Sequence, residues 1–208
     1  MMPIDTPRLI LRDWREEDIE PFERHTNTPA VMRWLGGVRE KGVLEGMIRN
    51  RLMRWQEDRG FTLWAVERKA DGALLGFCGL KIADGKNSSV VGEVEVGWRF
   101  REDAWGQGYA KEAASASLGA AFDLLGAERV VALTVQGNEA SWGLMKRLGM
   151  RRRGDLDYID PDWSATMNPV IIYEIRREEW GDEPRRLSGV HSARPSPGVR
   201  GPGGTADR

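Results

Sequence analysis

Residues 93–150 constrain this chain more than any other part. The run Val94-Glu95-Val96-Gly97-Trp98-Arg99-Phe100 alternates as a strand does, and Trp105-Gly106-Gln107-Gly108-Tyr109-Ala110 then makes a glycine-rich turn. A helix of small residues follows, then an apolar strand over 130–135 and the segment Asn138-Glu139-Ala140-Ser141-Trp142-Gly143-Leu144-Met145. Gly106 and Gly108 allow backbone N–H groups to turn toward one point, because no Cβ blocks positive φ or close approach. The helix beginning there adds its free first-turn N–H groups and the positive end of its dipole. Such a turn can cradle a pyrophosphate; a tight strand-to-helix turn without ligand has the same sequence. It is not a P-loop, since Lys111 is followed by Glu112, and not a dinucleotide fingerprint, since Lys111 stands where the third glycine belongs.

The rest of the chain organises around this segment. Residues 8–13 read as a strand and 16–25 as a helix. Thr28-Pro29 reads as a capped helix start that ends at Gly36. Leu44, Met47, Ile48, Leu52 and Trp55 recur at helical spacing up to Gly60. Residues 61–68 and 73–83 read as a hairpin around Lys69-Ala70-Asp71-Gly72, with 90–101 as the third strand of the meander. The helix after the turn runs over 108–125, with Ala110, Ala113, Ala114 and Ala121 keeping one face small, and Gly126 stops it. After the 130–135 strand come a helix over 139–147 and two strands, 150–158 and 169–176. Strands first, then helix–strand–helix–strands, implies an α/β (α+β) fold with a mixed sheet in three layers.

Composition narrows the function classes. At 208 residues and 40% hydrophobic content the chain reads as one domain with a substantial core. One cysteine forbids an internal disulfide and fits a reducing, cytoplasmic compartment. No apolar run is long enough to span a membrane, and the first residues lack the pattern of a signal peptide. Residues 184–208 hold five Arg and one Asp, so this Pro/Gly-rich segment reads as a disordered basic tail. The remainder is mildly acidic, which argues against a nucleic-acid partner.

The whole string of motifs resembles the GNAT superfamily of N-acetyltransferases, in particular the branch of the RimJ and RimL enzymes. Gly108 and Ala110 match the superfamily's Q/R-x-x-G-x-G/A turn, with Trp105 in place of the first Gln or Arg. Asn138 and Ser141 match the branch's N-x-x-S, Leu148-Gly149-Met150 its ending, and Thr6-Pro7-Arg8-Leu9-Ile10-Leu11-Arg12 its first strand. The resemblance spans residues 6–180. It implies a mostly antiparallel central sheet flanked by helices, with strands that splay apart at an acetyl-CoA site. It implies acetyl-CoA as co-substrate, no metal, and a primary amine as acceptor, on a small molecule or a protein N-terminus. Val96, Trp98 and Phe100 would contact the cofactor by backbone, the turn Trp105, Gly106, Gln107, Gly108, Tyr109 and Ala110 its pyrophosphate, and Asn138 and Ser141 the rest of it.

Transfer of an acetyl group to an amine has three demands. The amine, with a pKa of ~10 if lysine-like, must lose a proton. The thioester oxygen needs N–H donors as charge develops. The thiolate must leave. Glu93, Glu95, Gly97 and Arg99 share one face of their strand. Glu95 lies ten residues before Trp105, where the family places a strand carboxylate, and is the candidate general base, with Glu93 as fallback. A cross-strand partner for Lys or Arg is the alternative reading of Glu95. Ser141 has three readings: proton donor to the thiolate, another cofactor contact, or a first-turn residue of a helix capped by Asn138. Met145 occupies the slot of the family's usual Tyr acid.

Cys78, inside an apolar strand, reads as a small core residue, and two histidines do not suggest a metal site. Arg151, Arg152 and Arg153 read as a solvated strand start. Trp34, Trp55 and Trp163 are candidates to wall an acceptor pocket, and Asp155, Asp157, Asp160 and Asp162 to attract a cationic amine. A non-catalytic CoA-binding sensor and a nucleotide-dependent transferase are the alternatives to acetyl transfer. The acceptor and the oligomeric state, a homodimer included, are not readable from the sequence.

Overall fold

The computed structural model describes residues 3–181; the basic tail over 184–208 lies outside the described residues. Eight strands make one sheet there: β1 (Ile4–Asp5), β2 (Leu9–Arg12), β3 (Leu63–Arg68), β4 (Leu74–Ile82), β5 (Val94–Phe100), β6 (Arg129–Val135), β7 (Arg151–Arg152) and β8 (Val170–Arg176). Their order is β1-β2-β3-β4-β5-β6-β8-β7, and β5–β6 is the parallel pair in an otherwise antiparallel sheet. The expected meander is present, and Gly72 closes its hairpin at φ 71°.

The two sheet faces bury different helices. Against one face lies α5 (Tyr109–Gly119), whose Ala113 and Ala114 are fully buried. Small side chains let its backbone approach the strands, where Cys78, Leu80 and Val96 meet it. α6 (Glu139–Arg147) packs on the same side through Leu144 and Met145. The other face carries α1 (Ile19–Thr26), α2 (Pro29–Met32), α3 (Val43–Met47) and α4 (Arg54–Arg59). Here Trp14, Phe22, Leu44, Ile48 and Leu52 pack on Leu63, Ala65 and Phe77. The long helix read over 44–59 is continuous except for a wider turn at Ile48–Met53. The start at Thr28-Pro29 is as read: the Thr28 hydroxyl accepts from Val31 N–H at 3.3 Å.

One strand was read too long. Of residues 150–158 only β7 and a bridge between Tyr158 and Val170 pair with β8. Between them Gly154–Leu156 forms a tight turn. Local ion pairs bend the chain: Arg153 grips Asp155, and Arg152 grips Asp157. The Asp157 carboxylate then accepts from Ile172 N–H at 3.2 Å, which removes a donor from the ladder. Nor are the three arginines simply solvated. Arg153 also reaches Glu174 at 2.7 Å, a carboxylate only 1% exposed.

Arg12 anchors the α1 side. It pairs with Asp18 through both terminal nitrogens, at 2.7 and 2.8 Å, and with Glu67 through Nε at 2.7 Å. Arg12 and Asp18 are both buried. Removing one partner of such a pair strands a charge in the interior. Arg12→Ala is therefore expected to lower unfolding free energy by about 3–5 kcal/mol in urea titrations. A loss below about 1 kcal/mol would show that water reaches Asp18 freely.

Candidate active site

The register of β5 creates the site. On one side β5 pairs with β4 over its whole length, from Val94 opposite Ile82 to Phe100 opposite Gly76. On the other side it pairs with β6 at Val94–Val130 and Glu95–Val131 alone, and then the two strands part. Arg101 N–H donates to Leu75 O, and Glu93 O accepts from Ala83 N–H. Odd-numbered residues of β5 thus bond to β4, and alternation turns the backbone groups of Val96, Trp98 and Phe100 into the opening. The Phe100 carbonyl is already taken by Trp105 Nε1 at 2.9 Å. Val96 and Trp98 have no register partner on β6.

The opening leads into a cavity of about 1320 Å³. Its far wall is Leu133, Thr134 and Val135 of β6, with Asn138 and Ser141 at the start of α6. Its mouth is the turn before α5, where Trp105, Gly106, Gly108, Tyr109 and Ala110 line the space. Gly106 and Gly108 have φ of 73° and 80°, in the left-handed region. The first bond of the helix is Glu112 N–H to Gly108 O, so the N–H groups of residues 108–111 have no intrahelical partner. They form an anion-binding end on an eleven-residue helix. Two members of the turn contribute otherwise. Gln107 does not line the cavity: its amide donates to Asp103 O at 2.6 Å, and its carbonyl accepts from Arg8. The Tyr109 ring is buried under the Arg8 guanidinium, 4.5 Å from the ring centroid.

The segment before β2 fixes this turn, which sequence reasoning did not see. The Thr6 hydroxyl donates to Glu112 Oε1 at 2.7 Å. Arg8 donates its N–H to Oε1 at 2.8 Å and its Nε to Oε2 at 2.7 Å. Burial pushes the Glu112 carboxyl up, but these hydrogen bonds outweigh it and hold the carboxyl below its ordinary range. The matching pair Thr6-x-Arg8 and Glu112 was legible only as two unrelated strings.

Glu95 sits at the vertex of the splay, as the last β5 residue paired with β6. It is 8% exposed and lines the cavity. Lys81, its cross-strand neighbour, brings Nζ to 3.0 Å from Oε2. The same ammonium donates to Asp84 Oδ1 at 3.0 Å, so Lys81 bridges the two carboxylates. Burial pushes the Glu95 carboxyl up, and Lys81 offsets only part of that rise. Both readings of Glu95 therefore meet in one geometry: a lysine partner, and a place in the cavity lining. Glu93 lies elsewhere, ion-paired to Arg129 and away from the cavity lining.

At the opposite wall Asn138 caps α6, its Oδ1 accepting from Ser141 N–H at 3.4 Å. The Ser141 hydroxyl makes no hydrogen bond among the described residues and faces the cavity. Met145 is buried beneath it. Trp34 and Trp163 do wall the cavity, and Trp34 packs over Gly137 with no room for a Cβ there. Trp55 instead lies under Arg51 and Arg59. Of the four aspartates, Asp160 and Asp162 line the cavity; Asp155, Asp157 and Asp162 are paired with Arg153, Arg152 and Lys86, and Asp160 accepts from Asp162 N–H at 3.0 Å. Cys78 is fully buried, and burial pushes its thiol up to about 12, which suits a core residue. Sequence reasoning missed Lys81, Arg99 and Tyr158, which also line the cavity. Only the register of β4 against β5 reveals the first two.

A sheet that opens beside a free helix N-terminus is the architecture of an acetyltransferase. Comparison with known proteins agrees. Residues 8–151 match the acetyltransferase (GNAT) domain. The chain is 33% identical to the uncharacterized protein YkkB of Bacillus subtilis over 170 residues, covering 81% of this chain and 92% of YkkB. It is 30% identical to the uncharacterized N-acetyltransferase YoaA of the same organism, covering 75% of this chain and 87% of YoaA. A GNAT-family acetyltransferase structure from Bacillus anthracis superposes with a TM-score of 0.69 at 25% identity, covering 86% of this chain and all of the other. The chain belongs to the GNAT acetyltransferase family. It is an N-acetyltransferase, and the domain implies acetyl-CoA as co-substrate.

The state of Glu95 is open to direct test. Its side-chain carboxyl, followed by carbon NMR, is expected to titrate above the ordinary value of 4.5. Lys81→Met, which removes the offsetting charge, should move the midpoint higher still. A midpoint at or below the ordinary value would mean that water or hydrogen bonds outweigh burial.

Proposed function

We propose that this chain transfers the acetyl group of acetyl-CoA to a primary amine of a small molecule or a protein N-terminus, by direct attack in a ternary complex. The observation that carries this reading is the buried carboxylate at the vertex of the splay, which lines the cavity and is ion-paired to Lys81. The pyrophosphate of acetyl-CoA would lie on the N–H groups of the turn, and its pantetheine amides along the open edge of Val96 and Trp98. The thioester then reaches Glu95. The amine nitrogen attacks the thioester carbon, its proton passes to Glu95 directly or through water, and the carbon–sulfur bond breaks. A carboxyl held above its ordinary range is a better base near neutral pH than an exposed glutamate. Lys81 is the positioning residue: its ammonium orients the carboxylate. The Ser141 hydroxyl donates a hydrogen bond to the departing thiolate, which with a pKa of ~8.5 leaves without taking a proton, and Asn138 holds the turn that presents it. With Thr6-x-Arg8 and Asn138-x-x-Ser141 in place, the chain is best placed in the RimJ/RimL-like branch. Its buried free cysteine suits a cytoplasmic setting.

Two experiments test this. Gly108→Val places a β-branched side chain at φ 80°, beside the N–H groups meant for the pyrophosphate. The acetyl-CoA Kd is expected to rise at least about tenfold by calorimetry. Unchanged affinity in a folded variant would remove the cradle from the site. Glu95→Gln keeps the shape and removes the basic lone pair. With an amine that is turned over, kcat should fall on the order of 10²-fold, the acidic limb of the pH–rate profile should vanish, and acetyl-CoA affinity should hold. Full activity in this variant would mean that the amine arrives already neutral.

A further inference from the structure

Arg99 is a half-buried cation without a polar partner among the described residues. Its Nε and Nη1 are out of reach of water and meet no acceptor, and among the described residues it makes no hydrogen bond or ion pair. Buried charges elsewhere are compensated: Arg12 by Asp18 and Glu67, Glu95 by Lys81, and Glu174 by Arg153. The second guanidinium that Arg99 feels is Arg39, a like charge. Burial and Arg39 together lower the Arg99 pKa to about 10, which still leaves it charged at neutral pH. The guanidinium is held flat rather than loose. It lies over Phe77, 5.2 Å from the ring centroid, and over Phe22 at 5.7 Å.

Its placement relates it to the acceptor. Arg99 lines the same cavity as Glu95 and shares its face of β5, with Gly97 between them. That face looks toward α1, since Arg99 stands opposite Phe77, which packs on Phe22. The turn before α5 and the open backbone edge serve the cofactor from the other side. A molecule lying over Gly97 would have one end at Glu95 and the other at Arg99. Gly97 and its cross-strand neighbour Gly79 add no side chain of their own between the two, and Leu63 from β3 bounds the space over Gly97. Four residues of strand separate the two Cα atoms by about 13 Å.

We infer that the amine acceptor is itself an anion, an amine that carries a carboxylate or a phosphate-like group, and that Arg99 binds that group while Glu95 faces the amine. This inference rests on the acetyl-transfer reading for the amine end alone. A planar guanidinium offers paired donors that fit a carboxylate or a phosphate. An acceptor without the anion would leave the guanidinium without a counter-charge, so discrimination against uncharged amines follows. Arg99 is then a specificity residue of the acceptor site.

The test uses matched amines and the full-length protein saturated with CoA. The probes are β-alanine, γ-aminobutyrate and ε-aminocaproate, each against its uncharged carboxamide, and aminoethylphosphonate against ethanolamine. A tripeptide with an acidic second residue, against its amide twin, separates a protein N-terminus from a free small molecule. Calorimetry should show at least one charged member binding at least tenfold tighter than its twin. Arg99→Met, which keeps an apolar chain between the two rings, should bring that ratio close to one. The CoA affinity of the variant should be unchanged and its Tm no lower, because an uncompensated charge has been removed.

The wild-type ratios stand whether or not the variant folds. Four results would each overturn the inference: uncharged twins binding as well as the acids, a preference that survives Arg99→Met, weaker CoA binding in the variant, or a lower Tm. Thiol release from acetyl-CoA decides the other question separately. Binding with the charge preference but without thiol release would sink acetyl transfer and keep the anion site. Release without the preference would do the reverse.

Discussion

The parting of β5 from β6 is the constraint on which the rest of the structure depends. Both strands are supported on their outer edges: β5 by β4 along its whole length, and β6 by β8 from Arg129 opposite Arg176 to Val135 opposite Val170. The inner edges share two register pairs and then diverge. Interior backbone groups must find partners, so an unpaired edge inside a sheet asks for a ligand or for water. The neighbouring features all face that edge. α5 points its N-terminus at it, Glu95 closes its vertex, and α6 presents Ser141 from across it.

Two ion-pair systems reach the site from a distance. Thr6 and Arg8 hold Glu112 in the first turn of α5, so the opening segment of the chain positions the glycine turn about a hundred residues later. A few residues on, Arg12 turns to the other side of the sheet and fastens the start of α1 through Asp18. One short segment thereby ties both layers to the sheet. The first tie is part-exposed and modest in energy; the second is buried, and its integrity matters more than its net contribution.

Much of this fold was legible because local signals agreed with one another. The meander, the helix over 139–147 and the stop at Gly126 follow from alternation, capping and turn glycines. The strand read over 150–158 failed because alternation there is overridden by Arg152–Asp157 and Arg153–Asp155, contacts too short-ranged to leave a periodic trace. For the site, the sequence placed Glu95 and Asn138-x-x-Ser141 on elements that do meet at the cavity. It could not show that Lys81 and Phe77 stand opposite Glu95 and Arg99, since register is a pairing property. The acidic cluster divides: Asp155 and Asp157 are taken up by Arg153 and Arg152, while Asp160 and Asp162 line the cavity, a split that only the bend at 154–156 creates. Arg99 was placed on the face of Glu95 but given no role: on an alternating strand an arginine looks like surface, and only the packing of Phe22 from α1 half-covers it.

The two shared register pairs have a mechanical consequence. The strands β1 to β4 with β5, and β6 to β8, amount to two leaves of one sheet, stitched at a single corner and braced by α5 and α6. A molecule whose amides span the gap acts as a keystone, replacing rungs the protein leaves out. Occupancy and rigidity then become one quantity. At a ligand concentration of 100 times Kd the folded state gains about 2.7 kcal/mol, and the backbone amides along the gap would record that gain as slowed hydrogen exchange.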